Sequence, residues 1–145
     1  MYLTIDGSSK SVDKKTLTNA VEFYATCLDI DRKNIDIYLD FEKELEKNFK
    51  ENAYCVNEGC NQYTITIDPK FGKRKTLIAL AHEMVHVKQY AKRELTYNSR
   101  KKLSRFKGQA YEDNINYWDQ PWEIEAFGRE LGLYVQFKYS EKKKK

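Results

Sequence analysis

His82-Glu83-Met84-Val85-His86 places two imidazoles four residues apart with a carboxylate between them, and these are the only two histidines in the chain. On an α-helix, positions i and i+4 lie about 40° apart on one face, so both rings can reach a single metal ion. Glu83 follows His82 by one residue, about 100° round the helix, which sets it beside such an ion. A carboxylate there can take a proton from a metal-bound water. A lone helical histidine is more often a packing residue than a ligand. A pair at this spacing with glutamate inside it points to metal-assisted hydrolysis.

The flanking residues must hold that pair. Lys75 to Arg93 reads as one helix. At 100° per residue, Leu77, Leu80, Met84, Val87 and Ala91 fall on one side, while Ala79, His82, Glu83, His86 and Gln89 fall on the other. The helix therefore has an apolar floor and a separate face for chemistry. Gln62-Tyr63-Thr64-Ile65-Thr66-Ile67-Asp68, closed by Pro69, is the strongest strand pattern in the chain and directly precedes it. A free edge on that strand would let an extended peptide add to the sheet alongside the metal.

A single domain is expected over residues 1–140, with a disordered lysine-rich tail at 141–145. Charged residues make up 33% of the 145-residue chain and the net charge is +4, yet eleven tyrosines supply ample material for a core. No apolar run approaches a membrane span, and Met1 to Gly7 has no charged region followed by an apolar stretch. These features predict a cytoplasmic protein. Cys27, Cys55 and Cys60 are odd in number and form no C-x-x-C, which predicts free thiols, with Cys55–Cys60 as the alternative redox or metal pair.

Along the chain, Tyr2 to Asp6 reads as a strand ended by Gly7-Ser8-Ser9. A helix is expected from Asp13 to Leu28 on the stripe of Leu17, Val21, Tyr24 and Leu28. Asn34 to Leu39 alternates as a strand, and Asp40 can cap a short helix with Phe41, Leu45 and Phe49 on one face and a Glu46–Lys50 pair. Ala53 to Val56 is a brief apolar piece before a turn at Asn57-Glu58-Gly59. Residues 95–120 have no clean period and read as loop, with a turn or short strand pair about Phe106-Lys107-Gly108 and Tyr111. From 92 to 107 the chain carries Lys92, Arg93, Arg100, Lys101, Lys102, Arg105 and Lys107 against Glu94 alone. Such a run is either a solvated loop or a contact for nucleic acid or another anionic partner. Pro121 and Glu123 mark the start of a last helix that runs to about Tyr139.

A two-histidine site needs a further protein ligand and an open position. Glu123 and Glu125 compete for that place. With Glu123 at zero, the apolar residues Tyr134, Phe127, Leu131 and Ala126 lie between about −60° and 80°, whereas Glu125 lies at about 200° with Arg129. Glu123 therefore points inward, where an unpaired carboxylate is costly and a metal would pair it. Glu125 is left as a surface or supporting residue. Glu130 lies two turns deeper on the inner face, placed to orient a ligand histidine.

This combination of strand, H-E-x-x-H helix and later helix supplying glutamate resembles the zincin metallopeptidases, in particular the minimal gluzincin-like type. Thr64–Asp68, His82–His86 and Pro121-Trp122-Glu123-Ile124-Glu125-Ala126 carry the resemblance, over roughly residues 62–135. The layout is similar to small SprT-like and ImmA/IrrE-like domains and to compact phage-encoded metallopeptidases. The resemblance implies an α+β fold with a small mixed or antiparallel sheet packed on helices. It implies Zn²⁺ held by His82, His86 and Glu123, Glu83 as general base, and a peptide or protein substrate, one dedicated partner protein among the options. The family's third-ligand motif is often Glu-x-x-x-Asp; here the fifth position is Phe127. Family members often steady the oxyanion with His or Tyr, which leaves Tyr97, Tyr111, Tyr117 or an arginine for that task. The alternative is a catalytically silent, zinc-containing binding module that contacts DNA or protein through the basic 92–107 segment.

Overall fold

In the computed structural model of the chain, residues 1–42 and 53–144 are described. The helix expected on Leu45 and Phe49, with its Glu46–Lys50 pair, lies outside them; Asp40 and Phe41 themselves belong to a strand.

The chain opens with β1 (Tyr2–Asp6), which ends where Gly7 takes a positive φ of 73°. Helix α1 (Lys14–Cys27) starts as expected, because the Asp13 carboxylate accepts the Thr16 N–H at 2.7 Å and satisfies one of the orphan donors of the first turn. Its Leu17, Ala20, Val21 and Tyr24 are fully buried. β2 (Asp36–Phe41) buries Ile37 and Leu39 and exposes the residues between them, as alternation demands. β3 (Ala53–Gly59) and β4 (Gln62–Ile67) form a hairpin. The turn falls on Cys60 and Asn61, both at positive φ, and not on Asn57-Glu58-Gly59. That stretch instead continues β3 through a register shift between Asn57 and Gly59. A two-residue hairpin loop with both φ positive matches the twist of the flanking strands.

The four strands run in the order β1-β2-β4-β3. β1, β2 and β4 are mutually parallel, and β3 pairs antiparallel with β4 at one edge. This corrects the expectation of a free edge on residues 62–68. β4 is paired on both sides, and among the described residues the edge belongs to β3.

Helix α2 (Lys73–Ala91) crosses the buried face of this sheet, and α3 (Pro121–Lys143) lies against α2. The Tyr24 hydroxyl donates to the Leu77 carbonyl at 2.9 Å, tying α1 to the start of α2. Leu77, Leu80, Met84 and Val87 form the apolar floor that the pattern predicts, but Ala81 and Val85 on another side are equally buried. α2 is thus enclosed by the sheet, α1 and α3, with its chemistry face on the remaining arc. α3 begins at Pro121 as expected and continues past Tyr139 through Lys143, so the first lysines of the expected tail are helical.

Between α2 and α3, the stretch expected to be loop is an antiparallel meander of β5 (Leu95–Asn98), β6 (Leu103–Phe106) and β7 (Gln109–Glu112). Leu95 and Phe106 face each other across the first pair and bury against Trp122, forming a second small core beside the main one. Four-residue strands with one or two inward side chains leave too short an alternation to stand out in sequence. The architecture is α+β: three helices and two sheets, one mixed and one antiparallel, among the described residues. None of these helices is long and apolar enough to cross a membrane. Cys27, Cys55 and Cys60 are free thiols.

Candidate metal centre

α2 and α3 together bound a cleft of about 730 Å³, with β3 on its far side. His82, Glu83 and His86 reach it from α2, and Glu123 from the first turn of α3. The His82 and His86 rings lie 5.0 Å apart, and both present Nε2 to the Glu123 carboxylate. His82 Nε2 is 3.0 Å from Oε1 and His86 Nε2 is 3.0 Å from Oε2. The three donor groups are buried and lie within 4.8 Å of one another. Ligands at about 2.0–2.1 Å from a tetrahedral zinc would stand roughly 3.3–3.4 Å apart, so the spacing fits one ion. A buried group of two imidazoles and a carboxylate can hold a metal; the donor types suit several first-row metals.

The far side of each imidazole explains why Nε2 is the presented atom. The Gln89 side-chain amide donates to the Trp122 carbonyl at 2.9 Å and to Glu125 Oε1 at 2.8 Å. Both partners only accept, so the amide orientation is settled, and Gln89 Oε1 faces His86 Nδ1 at 2.8 Å as an acceptor. The neutral His86 ring therefore keeps its proton on Nδ1, so that Nε2 is the atom that loses a proton and turns its lone pair to a ligand. Glu130 Oε2 stands 3.4 Å from His82 Nδ1, the orienting position expected of it from the helix geometry. Phe127, at the place where the resembled motif has Asp, packs edge-on against the His82 ring at 4.6 Å.

Glu125 does not point into the cleft. It accepts from Lys88 Nζ at 2.6 Å as well as from Gln89, and Arg129 approaches at 3.5 Å. Lys88 is buried and also pairs with Glu94 at 2.8 Å. Glu125 is thus the centre of a polar network beneath the site, more enclosed than a surface residue. Of the three tyrosines proposed for the oxyanion, Tyr117 alone lines the cleft, where its hydroxyl donates to Glu123 Oε1 at 3.1 Å. Tyr97 is exposed and donates to Asp113, and Tyr111 packs on Trp122. No arginine lines the cleft, nor does any of the seven basic residues of 92–107. Arg100, Lys101 and Lys102 are exposed at the turn between β5 and β6.

Sequence reasoning missed the walls: Tyr54 and Cys55 from β3, Tyr90 from α2, and Trp118 from the 3₁₀ turn Tyr117–Asp119. It also missed the fastening role of Gln89, although that residue shares the histidines' face. Burial pushes the Cys55 thiol well above its ordinary range, and the nearby Glu83 and Glu123 charges add to this, so it serves as an uncharged wall.

Removing Gln89's amide tests the fastening. Gln89→Leu keeps the volume but leaves His86 Nδ1 without its acceptor. Metal affinity should fall roughly 10–100-fold, the usual effect of losing an outer partner of a ligand histidine. Competition against a chromophoric chelator measures it, and an unchanged affinity would show that Gln89 does not set the ring.

The electrostatics predict proton release. Burial alone would depress the His86 pKa, but Glu123 and Glu83 overcome it and raise it from 6.5 to about 9. Burial would raise Glu123, but the two imidazoles hold it down, from 4.5 to about 2. A raised base stabilises the fold fully below its unfolded value, and that contribution is lost as pH rises through about 9. A depressed acid stabilises above its unfolded value, and that contribution is lost as pH falls through about 2. The metal-free pairing is therefore complete between 4.5 and 6.5. Metal binding must displace the His86 proton, so near pH 7 about one proton should leave per ion bound, with affinity rising about tenfold per pH unit until His86 is neutral. Calorimetry in two buffers of different ionisation enthalpy counts the protons; a pH-independent affinity between 7 and 8 would contradict this.

Compared with protein-family models, with curated proteins and with solved structures, the chain matches none.

Proposed function

We propose that the protein is a zinc-dependent peptidase of the zincin type. The observation that carries the reading is the convergence of His82 Nε2 and His86 Nε2 on the Glu123 carboxylate in one cleft that Glu83 also lines. His82, His86 and Glu123 would hold the ion. When bound, zinc supplies Lewis acidity, which brings the pKa of a coordinated water towards neutrality and polarises a carbonyl. The remaining steps belong to the chain's own residues. Glu83 accepts the proton of the attacking water and later returns one to the leaving amine. Tyr117, at the cleft on the Glu123 side, offers a hydroxyl to the charge that develops on the scissile carbonyl oxygen. β3, the edge strand among the described residues, would receive an extended segment of the substrate as an added strand. The walls from Cys55, Tyr90 and Phe127 provide apolar seats for its side chains.

The test combines metal content with turnover. Purified protein is expected to hold near one zinc per chain by mass spectrometry and to cleave members of an unstructured peptide library. Chelation should abolish cleavage and zinc should restore it. Failure to take up zinc after reconstitution would end the peptidase reading.

A further inference from the structure

Helix α3 has a second face that the core does not use and that meets the cleft only at Phe127. Ile124, Leu131, Val135 and Tyr139 are exposed there by 56%, 48%, 39% and 62%, with Phe127 at the cleft margin. At 100° per residue these five fall within an arc of about 120°, and the one charged residue inside that arc before Tyr139 is the half-buried Lys138, at the lysine end. Phe127 and Leu131, expected by helical angle on the inner face with Glu123, are not core residues: the buried arc is Trp122, Ala126, Leu133, Tyr134 and Phe137, Phe127 stands at the cleft and Leu131 turns outward. Gly128 and Gly132 lie along the same exposed face, each with open space where a side chain would stand. Single exposed apolar residues are ordinary on a protein surface; a continuous row along four turns of helix marks a contact.

We infer that this face pairs with the same face of a second copy, α3 against α3 in antiparallel orientation about a twofold axis. Three observations choose this occupant. First, the row is self-complementary in shape. With Leu131 and Gly132 at the axis, Val135 of one copy lies over Gly128 of the other, and Tyr139 lies over Ile124. Leu131 and Val135 thus meet the notches at Gly132 and Gly128, Tyr139 packs on Ile124, and the glycines let the helix backbones approach. Second, the ends of the face carry opposite charge. From Gly108 to Gly128 there is no Lys or Arg, and Glu112, Asp113 and Asp119 are exposed. From Lys138 to Lys144 there are four lysines (138, 142, 143, 144) against Glu141. The same register sets Lys144 of one copy opposite Asp119 of the other, at both ends of the pair. Third, an anionic membrane surface, the other common partner of such a helix, would be repelled by the acidic end. The pairing also brings the second copy's last turn to Trp118, 68% exposed on the cleft rim, so each site would be bordered by its neighbour.

Sedimentation velocity under reducing conditions, over a hundredfold range of concentration, tests this with or without metal, so it stands apart from the peptidase reading. Wild-type chain is expected to reach twice the 17.2 kDa monomer mass. Leu131→Glu should weaken dimerisation at least tenfold. Gly132→Leu should do the same by filling the notch, and it keeps the monomer folded because leucine is the better helix former at an exposed site. Lys142→Glu with Lys144→Glu should weaken the pair, and adding Asp119→Lys should restore it. A wild type that stays monomeric throughout overturns the inference. So does a dimer indifferent to both Leu131→Glu and Gly132→Leu, or a monomer that instead co-sediments with anionic vesicles.

Discussion

Glu83→Gln will retain one zinc per chain and lose about 10²–10⁴-fold in hydrolysis, the usual contribution of a positioned general base. Glutamine has nearly the same volume, and Glu83 is buried in the cleft wall, so packing should change little. An amide cannot accept the water's proton, and that is the role proposed for Glu83. Glu83 is outside the His82–His86–Glu123 group, so the ligand set stays whole. Metal retention should if anything improve, because the Glu83 charge is one cause of the raised His86 pKa, and its loss eases displacement of that proton. Zinc content by mass spectrometry and kcat/KM on the same preparation decide the matter. Near-normal hydrolysis of a proven substrate would remove Glu83 as the base.

Glu123→Ala and Glu125→Ala should part company in what they break. Without Glu123 one of the three proposed protein ligands is gone, and zinc affinity should fall by more than the roughly 10–100-fold that follows loss of an outer partner. Without Glu125 the metal ligands remain, but Lys88, whose side chain is only 7% exposed, keeps Glu94 alone as a counter-charge. Removing one of the two counter-charges of a buried amine is destabilising, so this variant should lose about 1–3 kcal/mol of stability while still holding zinc, more weakly through the loosened Gln89. Metal content beside denaturant unfolding separates the two. One firmly bound zinc in Glu123→Ala would exclude it as a ligand.

Residue spacing exposed the site better than it exposed the sheet. The H-E-x-x-H pair and Pro121 with Glu123 are local signals, and helical angles turned them into a three-residue cluster that the fold brings together. Glu123 is buried as its helical angle predicts, but Phe127 and Leu131 are not core, because apolar residues on α3 serve two faces and periodicity cannot tell them apart. Strand order is not a property of any one strand. The β4 pattern says that Ile65 and Ile67 are buried, but not that β3 will cover its edge. The Gln89–Glu125–Lys88 network joins residues more than thirty positions apart, so no window along the chain could display it.

The irregularity in β3 has a bearing on how this protein survives in company. An open sheet ends in two unpaired edges, and an edge able to receive a substrate strand can as readily receive a strand from a misfolded neighbour. In β3 the regular register stops at Asn57, where the chain shifts before Gly59, and the exposed Glu58 sits in the step. A bulge twists an edge away from continued pairing, and a charge there penalises stacking. The docking proposed for β3 would thereby be confined to the five residues from Ala53 to Asn57, the first three of which line the cleft. Such a landing place would be long enough to hold a peptide and too short to seed a fibre.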